Sequence, residues 1–226
     1  MAIHDINYCY TYLQFIARKN QILQILPSDF QFAFNKAQKD YYDFLIGHVE
    51  KFRYIDAVAP VSLGMDNKIS SDLSPFKING TSIPVSGGVA PYPVNFQFLA
   101  LMTDTNLKKI EWISDEKLPA RLNDPIDNYL DSGKSFYNEV ASGWAIYGAA
   151  ASSSIIVNYY TAPVDCIWNY TVVSGRPVYS FSGSVQPVWD NNSLEEILSR
   201  AARVLGFSFE KQNLVQLGEQ SINRGE

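Results

Sequence analysis

Gly133-Lys134-Ser135 is the closing tripeptide of a phosphate-binding loop, in which backbone amides cradle phosphate, the lysine reaches it and the hydroxyl holds magnesium. The full loop needs another glycine five residues before Gly133, and Asn128 stands there, in a segment that is no hydrophobic strand. Nucleotide binding is therefore not expected. The two histidines, His4 and His48, lie on different predicted helices with no Cys, Asp or Glu at ligand spacing, so no metal site is expected. Cys9 and Cys166 are far apart in sequence, give no disulfide framework, and read as reduced core residues. No Gly-x-Ser-x-Gly elbow occurs, and Ser86-Gly87-Gly88 reads as a flexible bend. Asp124, Asp127 and Asp131 are close enough for a paired-acid hydrolase, but Asn123, Pro125, Asn128 and Gly133 around them are ordinary turn composition. No catalytic, cofactor-binding or metal-binding residue is put forward, and the chain reads as no enzyme. The sequons at Asn79, Asn169 and Asn191 carry weight only in a secreted protein.

Aromatic residues are the remaining chemical resource. Tyr159, Tyr160, Trp168, Tyr170, Tyr179, Phe181 and Trp189 crowd the strand-like region, where alternation puts only half of them on either face. Core packing is one reading, and a carbohydrate or partner surface the other. Tyr8, Tyr10 and Tyr12 cannot all be buried by one helical face, which suggests a subunit contact.

These residues sit in a chain of 226 residues, 46% hydrophobic and 18% charged, which can bury a sizeable core and should fold. Its formal net charge of −5 and the lack of a basic stripe, Lys108-Lys109 apart, argue against tight nucleic-acid binding. The segment Met1 to Asp5 lacks the charged and apolar regions of a signal peptide and no long apolar run follows, so a cytosolic chain with no membrane contact is expected.

Hydrophobic spacing predicts a helix from Asp5 to about Asn20, capped by Asp5. A longer helix starts at Leu26-Pro27-Ser28-Asp29. It should bury Phe30, Ala33, Phe34, Ala37, Tyr41, Phe44, Leu45 and His48, and keep Gln31, Asn35, Lys39, Asp43 and Glu50 as a solvated stripe. Pro and Gly residues from Asp56 to Pro93 predict an extended arm. Val94 to Ala100 and Leu107 to Ile113 read as strands joined through Thr103 to Asn106, followed by a helical piece, Asp115 to Leu122, broken by Pro119. Further strands are expected at Trp144 to Gly148, Ser154 to Tyr160 and Cys166 to Val173, the last returning through Ser174-Gly175-Arg176 to Phe181. That makes a central antiparallel unit of five or six strands. Asn192 or Ser193 should cap a final helix, Ser193 with Glu196 as a capping box, burying Leu194, Ile197, Leu198, Ala201, Val204 and Leu205 and ending before Gly206. The expectation is an α+β fold: one domain over 1–206 with an extended arm at about 56–93, and a C-terminal tail, 207–226, whose weakly amphipathic part from Glu210 to Ile222 would dock on a neighbouring subunit.

Four segments come in a recognisable order: the long helix with Ala33, Asn35, Ala37, Gln38 and Asp40; Ile110-Glu111-Trp112-Ile113; Tyr159-Tyr160-Thr161-Ala162-Pro163; and the helix from Leu194 to Leu205 with its Gln-rich tail. This order resembles the neck ring proteins of crAss-like tailed bacteriophages, the adaptors between portal and tail. The resemblance implies a structural virion protein, made in the host bacterial cytoplasm. It implies a homo-oligomeric, dodecameric ring in the neck, stacked on the portal or an adjacent ring and meeting tail proteins. DNA would pass through its lumen during ejection without specific binding. An acidic balance suits a channel that must release DNA. The arm and the tail would clasp neighbouring subunits. The alternative is a tail-associated module that binds carbohydrate or another virion protein through its aromatic-rich strands.

Overall fold

The computed structural model describes residues 5–19, 24–56, 63–123, 134–148, 150 and 153–206. The fold is α+β. Along these residues run the helices α1 (Ile6–Lys19), α2 (Pro27–Asp56), α3 (Leu63–Leu73), α4 (Leu118–Leu122) and α5 (Asn191–Val204). The strands are β1 (Lys77–Pro84), β2 (Val89–Pro91), β3 (Phe96–Asp104), β4 (Glu111–Trp112), β5 (Ser135–Val140), β6 (Gly143–Gly148), β7 (Ser154–Thr161), β8 (Tyr170–Val173) and β9 (Arg176–Tyr179). They group into two compact units, one from Met1–Pro75 with Pro163–Glu226 and one from Phe76–Ala162. The expected docking tail, 207–226, lies outside the described residues.

In the first unit the predicted spacing produces the packing. Asp5 caps α1, its Oδ1 accepting from the Tyr8 amide at 2.7 Å, and Ile6, Cys9, Leu13 and Ala17 are buried. Helix α2 buries Phe30, Ala33, Phe34, Ala37, Tyr41 and Leu45, and α5 packs on it through Leu194, Ile197, Leu198 and Ala201. Expectations fail at the margins of these faces, where His48 and Leu205 are only half-buried. Phe44 is 46% exposed, and Val204 is exposed while Ala202 is buried. The cap of α5 is Asp190, which accepts from the Ser193 amide at 3.0 Å, so Ser193 lies buried inside the first turn and caps nothing. Gly206 does close the helix, at φ +80°, its amide donating to the Arg203 carbonyl.

Part of the polar face of α2 is a fastening and not a solvated stripe. Asn35 pairs with the backbone of Cys166 in both directions, Nδ2 donating to its carbonyl at 3.0 Å and Oδ1 accepting from its amide at 2.8 Å. Gln38, 1% exposed, donates to the Val164 carbonyl at 3.0 Å and accepts from Trp189 Nε1 at 3.4 Å, and Gln31 donates to the Trp168 carbonyl at 3.1 Å. Side chains thus supply the strand-like segment 164–168 with partners that a neighbouring strand would otherwise provide. Asn35→Ala strands one amide and one carbonyl, and a loss of about 2 kcal/mol is expected in urea unfolding, against a few tenths for Lys36→Ala on the exposed side.

The second unit holds two sheets, ordered β1-β7-β3 and β2-β6-β5-β4, antiparallel except for the β4–β5 pair. They share a core built on Ile83, Met102, Ile110, Trp144, Ile146, Ile155 and Val157. Most of the expected extended arm is regular structure: α3, β1 and β2 occupy it from Leu63 onward, while 57–62 lie outside the described residues. Strand β1 pairs with β7, some seventy residues away along the chain, a partner that local sequence cannot announce. Its Gly80 (φ +70°) lies at a register shift, its amide held by Asn158 Oδ1 at 2.7 Å. After β3 the chain turns at Asp104, whose Oδ1 accepts from the Asn106 and Lys108 amides, both at 2.8 Å. The returning strand then crosses to the other sheet as β4, so the expected hairpin is only begun. Pro119 stands in the first turn of α4, where a proline is tolerated, instead of breaking it. Among the described residues, nine strands in three sheets, counting the β8–β9 hairpin of the first unit, replace the five or six expected.

Candidate functional site

The residues with chemical potential in the sequence are not brought together into a reactive cluster among the described residues. Lys134 and Ser135 lead into a strand, and the Ser135 hydroxyl accepts from the Ala150 amide at 3.1 Å, whereas a phosphate loop must open a helix. Asn128, Ser132, Gly133, Asp124, Asp127, Asp131 and His4 lie outside the described residues. His48 Nδ1 is 2.8 Å from the Phe44 carbonyl, one turn back on its own helix. Cys9 and Cys166 are free and buried, and burial pushes both thiols up to about 12, so both are protonated and unreactive at neutral pH. Ser86-Gly87-Gly88 is a tight hairpin turn and not a flexible bend, with Gly87 at φ +60° and Gly88 at φ +78° and paired bonds between Ser86 and Val89. Among the described residues no group of three or more His, Cys, Asp or Glu is placed to hold a metal. Nor is any helix among them long and apolar enough to cross a membrane.

Of the crowded aromatics, Tyr159, Tyr160, Trp168 and Trp189 are buried, so packing claims them, while Tyr170 and Phe181 stay exposed. Tyr10 is also buried, its hydroxyl donating to the Ile25 carbonyl at 3.0 Å. Tyr8 and Tyr12, one helical turn apart, are stacked at 6.1 Å and remain about 40% exposed.

These two tyrosines form one wall of a groove of about 860 Å³ between α1, α2, α3 and α5. Tyr41 and Phe44 of α2 form its floor, capped by Arg200 of α5, whose guanidinium lies 5.3 Å from the Tyr41 ring and 5.1 Å from the Phe44 ring. Glu196 holds that guanidinium from one turn back, at 3.0 Å from Nε, which fixes it over the rings. From α3, Asp72 accepts from the Tyr41 hydroxyl at 3.3 Å. Burial, and next the nearby Asp190 charge, raises the Asp72 pKa above the ordinary carboxylate value, and burial likewise raises that of Tyr41. Lys68, Arg200 and Arg203 balance Asp72, Glu195 and Glu196 along the groove, so it presents aromatic faces under a charge-neutral rim. That lining, half polar and half apolar, gives no preference to a polyphosphate. The sequence singles out Tyr8 and Tyr12. It conceals Phe44, which its spacing assigns to the core, and Arg200, whose only signal is its i,i+4 spacing from Glu196.

The same unit carries a second feature. The β8–β9 hairpin turns through Ser174 (φ +51°) and Gly175 (φ +75°), and every residue of β8 is exposed. Its base rests on Trp168, which stacks on Tyr170 at 5.5 Å, lies 6.0 Å from Tyr179, and packs on Tyr10 at 4.1 Å. Trp168 Nε1 donates to Asn7 Oδ1 at 3.2 Å, which ties the hairpin base to α1. Beyond that base, Val172 (67% exposed) pairs with Pro177 on one face, and Val178 and Val173 occupy the other. A two-stranded hairpin is marginal in water, and this one is apolar near its tip on both faces. Smaller clefts occur beside Phe32, where Lys39 meets Asp165 at 2.7 Å, and in the second unit beside Lys109 and Glu111.

No protein-family model matches the chain, and no curated protein matches it.

Proposed function

We propose that this chain is a structural virion protein that assembles into a ring in the portal–tail neck, a head–tail connector through which DNA passes. The observation that carries the reading is the exposure of apolar and aromatic side chains on two built features of one unit: the hairpin with Val172, Val173 and Val178, and the groove with Tyr8, Tyr12 and Phe44. Exposed apolar surface on ordered elements is what subunit interfaces require. The order of segments that resembles neck ring proteins supplies the place of assembly, and the balanced groove and net charge of −5 suit a ring that lets DNA slide. Partners follow from that place: further copies of the chain, the portal or an adjacent ring, and tail proteins. Native mass spectrometry of the purified chain tests the reading. A closed oligomer with the mass of a dodecamer of 25.4 kDa chains is expected, and a single-chain species at every concentration contradicts it.

A further inference from the structure

We infer that the chain beyond Gly206 folds back into the groove of its own copy, seating Phe207 and Phe209 on the groove's aromatic rings, as a latch that a neighbouring subunit must displace. The latch role rests on the ring reading, whereas the seat itself does not.

Position comes first. Helix α5 lines the groove as far as Arg203, and the described residues end three positions later, at Gly206. Gly206 closes the helix at φ +80°, its amide donating to the Arg203 carbonyl at 3.0 Å. A closure of this kind reverses the chain, and the residue that follows commonly packs an apolar side chain back on the last turns of the helix. That residue is Phe207, and Phe209 comes two later. An extended chain spans at most about 3.6 Å per residue, so both rings are held within about 20 Å of the groove's end at Arg203.

The chemistry of the segment comes second. Phe207-Ser208-Phe209 carries two large apolar side chains at the spacing that puts both on one side of an extended chain. Each has about 150–250 Å² to bury. Tyr12 and Phe44, 39% and 46% exposed, offer them aromatic partners, and a groove of about 860 Å³ has room for two rings. The polar half of the lining meets the Ser208 hydroxyl, and Glu210 with Lys211 brings one charge of each sign to a rim whose own charges cancel.

Scale is third. Alone, the groove does not supply the ~1,000 Å² that a contact between separate chains needs, so a neighbour uses it only as part of a larger surface. A segment tethered at the groove's edge needs no such area, because the short tether holds it at an effective concentration on the order of millimolar. The same modest scale makes the seat reversible. A groove open about a tenth of the time weakens a neighbour's apparent affinity about 10-fold.

The test treats the full-length K68C/S208C variant with a short bismaleimide. Lys68 is exposed on α3, across the groove from α5, and the native Cys9 and Cys166 are buried and do not compete. A cross-link within one chain is expected, with a yield about 10-fold above that of the same variant carrying F207S/F209S and of a K36C/S208C control on the exposed side of α2. A cross-link between chains, or a within-chain yield no greater than the control's, overturns the seat. Sedimentation velocity then compares the wild type with F207S/F209S, which is expected to assemble at about 10-fold lower concentration. If the cross-link forms and F207S/F209S assembles at the same or a higher concentration than the wild type, the latch is overturned while the ring reading stands. If the cross-link forms and neither protein assembles, the seat stands and the ring reading fails. Far-UV circular dichroism checks folding, and if K68C loses helix, E195C replaces it with the same expected yields.

Discussion

Gly143→Ala is expected to unfold the second unit or to cost it more than about 4 kcal/mol. Gly143 opens β6 at φ +152°, opposite Pro91 of β2. A Cβ there would lie 2.0 Å from the Ala90 carbonyl oxygen and 2.9 Å from the Pro91 Cα, and both obstacles are backbone. Relief requires β2 to move away from β6, which breaks their pairing and draws Ala90, itself fully buried, out of the core. Gly87→Ala provides the comparison. It too has a positive φ, +60°, but nothing lies within 4 Å of an added Cβ, so only the conformational cost of about 1 kcal/mol remains. Urea unfolding followed by tryptophan fluorescence distinguishes the two.

Trp144→Ala should be nearly as severe, with an expected loss of roughly 3–5 kcal/mol, the range for truncating a buried aromatic side chain to alanine. Trp144 is fully buried and is the hub of an aromatic cluster, with Tyr92 at 4.8 Å and Phe96 at 5.0 Å in edge-to-face arrangements. Its removal leaves a cavity between rigid strands that cannot collapse. Trp144→Phe is expected to lose markedly less, because the Nε1 that it deletes has no hydrogen-bond partner among the described residues. Chemical denaturation of the three proteins under one set of conditions checks the ranking.

The parts of the fold legible in the sequence are those stabilised by local periodicity. Helices α1, α2 and α5 carry apolar residues at helical spacing over several turns, and their cores form as that spacing predicts. The β8–β9 turn is also legible, because Ser174-Gly175 supplies the positive φ values such a turn demands. Strands β1, β2 and β5 are not. Each is short or interrupted by Gly, Pro or polar residues; β1 and β2 are stabilised by distant partners, β7 and β6, while β5, polar at Ser135, Asn138 and Glu139, pairs with the next strand, β6. Asn35 shows the same limit inside a helix: its polarity marks it as solvent-facing, and only the arrival of Cys166, 131 residues later, makes it a fastening. In the groove, Tyr8 and Tyr12 can be flagged because one helical face cannot bury Tyr8, Tyr10 and Tyr12 together. Phe44 cannot, since it keeps the periodicity of its buried neighbours and is exposed only because the groove opens beside it.

Electron micrographs of the purified full-length chain test the central claim most directly. The account predicts end-on views of a closed ring with an open lumen, present in the wild type and lost in a V172E/V178E variant. Fields of single, ring-free particles at concentrations where the wild type is folded would contradict it.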